Sequence, residues 1–140
     1  LLGYSAIGLL GCATVAEVGK GVAGLSTKVL EDARPMALAK PFNYDYPVTY
    51  QKVKDYLKAM ECYIYADLPR KNLIAVYLSS EDTTPVGVFF KAQSIDITQI
   101  EVVSASTSAK EYISRRLFAL MSGKADPEAK KEGQAKLFEN

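Results

Sequence analysis

The sequence predicts an α+β fold: a two-layer sandwich in which a mainly antiparallel sheet of four to five strands carries two helices on one face. Three observations point there. Residues 62–104 hold four short apolar runs, most of them alternating with period 2. Turn clusters of about four to six residues separate those runs, and strands joined so tightly pair antiparallel. Two stretches with apolar residues at helical spacing, around Val53 and Ile113, flank the runs and offer one apolar stripe each.

Element by element, Phe42, Tyr44 and Tyr46 alternate with Asn43 and Asp45, the pattern of a half-buried strand that Pro47 ends. A helix is expected from Thr49, with Tyr50, Val53, Leu57 and Met60 on one face and Lys52, Lys54, Asp55 and Lys58 outside. The first hairpin strand covers 62–66 and its turn 67–72. Run 73–78 is the most apolar, with Ile74, Val76 and Leu78 on one face and Leu73, Ala75 and Tyr77 on the other. After a turn at 81–84, run 86–91 sets Val86, Val88 and Phe90 against Gly87, Phe89 and Lys91. The last strand, 97–104, turns Ile100 and Val102 inward. In the final helix Ser108 and Glu111 form a capping box, Ile113, Leu117, Leu120 and Met121 make the buried stripe, and Gly123 supplies the stop. The uncovered sheet face is left partly wet or free to meet a partner.

Composition removes most catalytic chemistry. The chain has no histidine, which excludes Ser-His-Asp and Cys-His catalysis and histidine metal ligation. Cys12 and Cys62, the two cysteines, cannot build a zinc or iron-sulfur site within one chain. Gly19-Lys20 lacks the glycine and the hydroxyl residue a phosphate-binding loop requires, since Thr14 and Gly21 stand there. Thr107-Ser108-Ala109-Lys110 resembles a Ser-x-x-Lys nucleophile motif only loosely, and helix capping accounts for Ser108. Glu81, Asp82, Asp96 and Glu101 sit in polar contexts that predict solvated carboxylates, and Arg115-Arg116 a solvated helix face. A net charge of +1 gives no case for nucleic acid. The expectation is a protein that is not an enzyme, with no metal, no cofactor and no evident small-molecule substrate.

The most informative stretch is the first one. Residues 1–15 carry no charge, and Leu9-Leu10-Gly11-Cys12 closes an apolar run with small residues and one cysteine. Glu17 and Lys20 end that run short of the roughly 20 apolar residues a spanning helix needs. Its length and flanks fit the apolar core of a signal peptide. Those four residues resemble the lipobox of bacterial lipoproteins, in which a lipid is attached to the cysteine and the chain is cut just before it. The resemblance implies lipidation at Cys12, and, because Ala13 and not Asp follows, an outer-membrane address. No Met and no basic stretch precede Leu1, so the expectation is a signal truncated at its start. A retained membrane or partner-binding helix over residues 1–30, and a soluble chain with a buried Cys12, remain as alternatives.

All 17 basic and 16 acidic residues lie beyond the cut, and 129 residues follow it, enough for one modest domain. The expected organisation is a signal segment at 1–11, a Gly/Ala-rich tether at 12–39, an α+β domain at 40–123 and a charged flexible tail at 124–140. With Cys12 acylated, Cys62 has no disulfide partner within the chain, and it is expected to be a buried, inert thiol. The whole arrangement resembles a group of small bacterial lipoproteins to which no activity is assigned. These share a lipobox, a Gly/Ala spacer, a strand leading into an amphipathic helix, a hairpin-rich sheet and a last helix with an Arg-Arg-like element. Here those parts fall at 9–12, 13–24, 42–60, 62–104 and 108–121. The resemblance implies a periplasm-facing module, anchored to the membrane by lipid, that binds or scaffolds an envelope protein. The alternative function is a small structural subunit of a larger membrane complex.

Overall fold

Alternation in the middle of the chain builds one antiparallel sheet, and two helical stripes cover one of its faces. The structure, a computed structural model, describes residues 27–128. Helix α1, described over 27–32, is followed by a 3-10 turn at Arg34–Met36. Then come β1 (Leu38–Phe42), α2 (Tyr46–Ala59), β2 (Tyr63–Leu68), β3 (Leu73–Tyr77), β4 (Pro85–Ala92), β5 (Thr98–Val103) and α3 (Thr107–Met121). The strand order is β1-β5-β4-β3-β2 and every neighbouring pair is antiparallel. The fold is therefore α+β, as the hairpin succession implied.

The faces divide as the alternation dictates. Ile74, Val76, Val86, Val88, Phe90, Ile100 and Val102 meet Val53 and Leu57 of α2 and Ile113 and Leu117 of α3 in the main core. Those residues are fully buried or nearly so. The opposite face carries Leu73, Ala75, Phe89 and Val103, and it is not left wet. Leu30 of α1, only 1% exposed, packs there with Ala33 and Ala37 beside it. Gly87 makes the close approach possible: a Cβ at that position would stand 3.0 Å from both Leu30 Cδ1 and Val103 Cγ2. Residues 27–39 thus belong to the folded unit, and the tether expected over 12–39 is shorter at that end. A retained helix running to residue 30 would likewise share its last turn with the sheet.

Three further expectations change. The alternating 42–46 segment is not a strand: β1 ends at Phe42, and Tyr46 opens α2. Asp45 caps that helix, its carboxylate accepting from Val48 N at 3.0 Å. Pro47 falls in the first helical turn, where a missing N–H leaves no bond unmade. The cap of α3 is Ser106, whose hydroxyl accepts from Ala109 N at 3.2 Å, and not the Ser108–Glu111 box. Gly123 stops α3 with φ of +80°, as expected. Beyond it, however, Asp126 and Glu128 return to α3, so residues 124–128 are not the free tail expected there, and the rest of that expectation lies outside the described residues.

Candidate functional site

Cys12, the expected lipidation site, lies outside the described residues, as do residues 1–11. Cys62 is described. Helix α2 ends in a Schellman turn, with Cys62 N–H bonded to Leu57 O at 3.1 Å and Glu61 N–H to Lys58 O at 3.0 Å. That turn swings Cys62 into the main core, where it is 8% exposed. Burial pushes its thiol up to about 11 despite the opposing pull of nearby Arg116. It is a neutral packing residue at neutral pH.

The four carboxylates singled out in the sequence do not converge. Glu81 and Asp82 stand exposed on the β3–β4 turn, Asp96 on the β4–β5 turn and Glu101 within β5. Asp82 organises its own turn by accepting from Thr84 N at 3.1 Å and Thr84 Oγ1 at 2.7 Å, which holds its carboxyl below the usual range. Glu101 is not solvated, contrary to expectation: it is 8% exposed and accepts from Arg34 Nε at 2.6 Å and Gln99 Nε2 at 3.1 Å. Burial pulls its pKa upward, yet the bonds from Arg34 and Gln99 outweigh that and leave it lowered. Arg34, 4.5 Å above the Phe89 ring centroid, thereby fastens the segment after α1 onto the sheet.

Arg116 also departs from expectation. It sits in the buried row of α3, and its guanidinium donates to Asp126 through Nε at 3.0 Å and through Nη2 at 2.7 Å. Nη1 donates to Tyr112 Oη at 2.8 Å. The Arg116 hydrogen bonds hold the Asp126 carboxyl below its ordinary range. Arg115 beside it is the exposed member of the pair, reaching Glu128 at 2.8 Å. A third polar group pins α2 to the β2–β3 hairpin: Tyr50 donates to Asp67, and Lys54 Nζ reaches Asp67 at 2.7 Å. Burial first, and then the Asp67 bond, raise the Tyr50 pKa. Each of these three buried or half-buried acids is bonded to a cation. Such groups fasten elements together, and none stands ready to exchange a proton with a substrate. Among the described residues no cluster of His, Cys, Asp or Glu has the arrangement of a metal site, and no helix is long and apolar enough to cross a membrane.

What sequence reasoning passed over is a row of aromatic rings on the β2–β3 edge. Tyr63 pairs with Tyr77 across the ladder, and their ring centroids lie 6.1 Å apart at 15°. Tyr65, at a bulge where the register slips between Ile64 and Ala66, stacks on Tyr77 at 4.2 Å and 17°. An open depression of about 320 Å³ beside them is lined by Tyr63, Tyr77, Ser79, Ser80 and Thr83. The nine tyrosines and the Tyr63-x-Tyr65 spacing were the available signal. Family models, curated proteins and solved structures compared with this chain give no match.

Proposed function

We propose that this protein is a lipid-anchored lipoprotein of the bacterial envelope, facing the periplasm, whose α+β domain is a non-enzymatic binding or scaffolding module. The observation that carries the reading is the uncharged run that ends in Leu9-Leu10-Gly11-Cys12, with every charged residue placed after it. Several acyl chains on Cys12 would hold the protein at the membrane far more firmly than the marginal binding of a single chain. The domain supports the non-enzymatic part, because its buried Glu101 and Arg116 and its half-buried Asp67 are committed to structural ion pairs. Ala13 favours the outer membrane, and the likeness to small bacterial lipoproteins favours an envelope protein as partner.

Labelling cells with a radioactive fatty acid tests the anchor. Label is expected in the wild-type chain and absent from Cys12→Ser; label retained in that variant overturns the reading. Mass spectrometry of the mature N-terminus separates it from the membrane-subunit alternative, which requires residues 1–11 to be intact.

A further inference from the structure

We propose that the tyrosine row on the β2–β3 edge binds an uncharged oligosaccharide, with sugar rings stacked on Tyr63 and Tyr77. Strand β2 lies at the sheet edge, and the ladder places Tyr63 and Tyr77 side by side on the face opposite α2 and α3. Tyr63 is 56% exposed, a large aromatic surface left in water. Tyr65 backs one face of Tyr77 at 4.2 Å, and Tyr63, beside Tyr77, lies only 15° from parallel with it, so two near-parallel rings line one side of the depression. Ser80, Thr83 and Ser79, whose hydroxyl accepts from Glu81 N and Asp82 N and keeps its proton to donate, border the two rings in the depression of about 320 Å³. A pyranose fits those surroundings. Its C–H face, slightly positive, meets the negative face of an aromatic ring, while its rim of hydroxyls exchanges hydrogen bonds with serine and threonine hydroxyls, which both donate and accept.

Charge decides against the other stacking ligand, a single-stranded nucleic acid. Binding one requires cations along the phosphates, whereas among the described residues no lysine or arginine lines this depression and Glu81 and Asp82 stand on the same turn. Carboxylates beside a sugar accept its hydroxyls. Addition of a peptide strand to the edge is disfavoured too, because the bulge at Tyr65 interrupts the even ladder such a strand would follow. The proposal rests on the reading of the domain as a binding module, for which it names the ligand class. It does not depend on the lipid.

The test titrates chitotetraose and maltotetraose into the full chain in detergent, following tyrosine ring protons by NMR. Fluorescence is a second readout, since nine tyrosines and no tryptophan make the emission a tyrosine signal. The platform covers one side of a sugar ring and the depression is open, so saturation is expected at about millimolar concentration for at least one of the two sugars. Tyr63→Ala should weaken it about tenfold, while Tyr63→Phe keeps the ring and stays within about twofold. Tyr63→Phe should keep the wild-type unfolding midpoint, and Tyr63→Ala, which loses the contact with Tyr77, should lower it only modestly because Tyr63 is half exposed. The double variant Ser80→Ala/Thr83→Val should weaken binding with the platform intact. Three results overturn the proposal: no saturation by either sugar up to ~20 mM, equal affinity in Tyr63→Ala, or tighter Tyr63-dependent binding of oligothymidylate than of either sugar. None of these results touches fatty-acid labelling at Cys12, so failure of the sugar site and failure of the anchor are separately visible.

Discussion

Replacing Asp126 by Asn should destabilise the domain by about 2–3 kcal/mol at pH 7, although the residue lies beyond the last helix. The Arg116 and Asp126 side chains are only 6% and 12% exposed. Asn keeps the shape but removes the charge, and turns an amide towards a guanidinium that has only donors. Breaking one half of a fully buried pair costs about 3–5 kcal/mol. Asp126 borders solvent on one side, which places the expectation at the lower end. At an m-value of about 1.5 kcal/mol/M the urea midpoint should fall by about 1.3–2 M. The sign of the pH dependence follows from the lowered Asp126 pKa. Its stabilisation is complete above the unfolded value of about 3.9 and is lost as pH falls through the folded value. The gap between wild type and variant should therefore narrow below about pH 4, while Glu101 and Asp67 titrate in both proteins and cancel. Arg116→Met combined with Asp126→Asn should recover much of the loss, because no charge is then stranded. A gap under about 0.5 kcal/mol at pH 7, or one that persists undiminished at pH 2, refutes the account.

Two further perturbations test the packing that positions the sheet. Gly87→Ala should cost about 1–3 kcal/mol by pushing a methyl against Leu30 and Val103. In a Leu30→Ala background, itself worth about 2–5 kcal/mol, the added cost should shrink; thermal unfolding of all three variants checks this, and additive losses would mean that α1 does not press on Gly87. Ser106→Ala should cost about 1 kcal/mol by uncapping α3, and Ser108→Ala a few tenths at most; equal losses in urea melts would return the cap to Ser108.

The legible parts of this fold were those in which one local pattern decides. Alternation over 73–78 and 86–91 assigned every face correctly, because both faces of β3 and β4 are buried and a one-residue slip would be costly. Segment 42–46 misled because period-2 spacing is also what a turn entering a helix can display. The deciding signal was Asp45 followed by Pro47, a cap and a first-turn proline, and not the aromatic alternation. Two features were illegible because their partners are remote or weakly patterned. Leu30 is buried by Gly87 and Phe89, nearly sixty residues away, and it lies in a stretch whose earlier glycines suggest a tether. Arg116 and Glu101 read as solvated because burial of a charge depends on its counterion, and Asp126 and Arg34 lay in segments assigned to tail and tether. The candidate site divides in the same way. Cys12 is a local motif in the sequence, whereas the tyrosine platform exists only once the β2–β3 register and the Tyr65 bulge bring its rings together.

A folded unit that includes residues 27–39 alters what the proposed anchor allows. Fifteen residue steps separate Cys12 from Thr27, which at full extension reach about 50 Å. A tether lasting to residue 39 would have reached about 90 Å. A domain of this size is about 35 Å across, given a radius of gyration near 13 Å. Lipidated at Cys12, the protein could place its binding face no further than roughly 85 Å from the bilayer surface, and usually much nearer, since chains are rarely fully extended. The end fixing that reach is α1, which shares the second sheet face with the tyrosine row. With Cys12 lipidated, the proposed anchor and the tyrosine row would be joined through one packed layer, in which Leu30 over Gly87 and Arg34 on Glu101 hold α1 and the turn after it to the sheet. A ligand held on Tyr63 would then stay within that reach of the membrane through the contacts of Leu30 and Arg34 with the sheet, and loosening them at Gly87 or Glu101 would extend the reach without touching Cys12 or Tyr63.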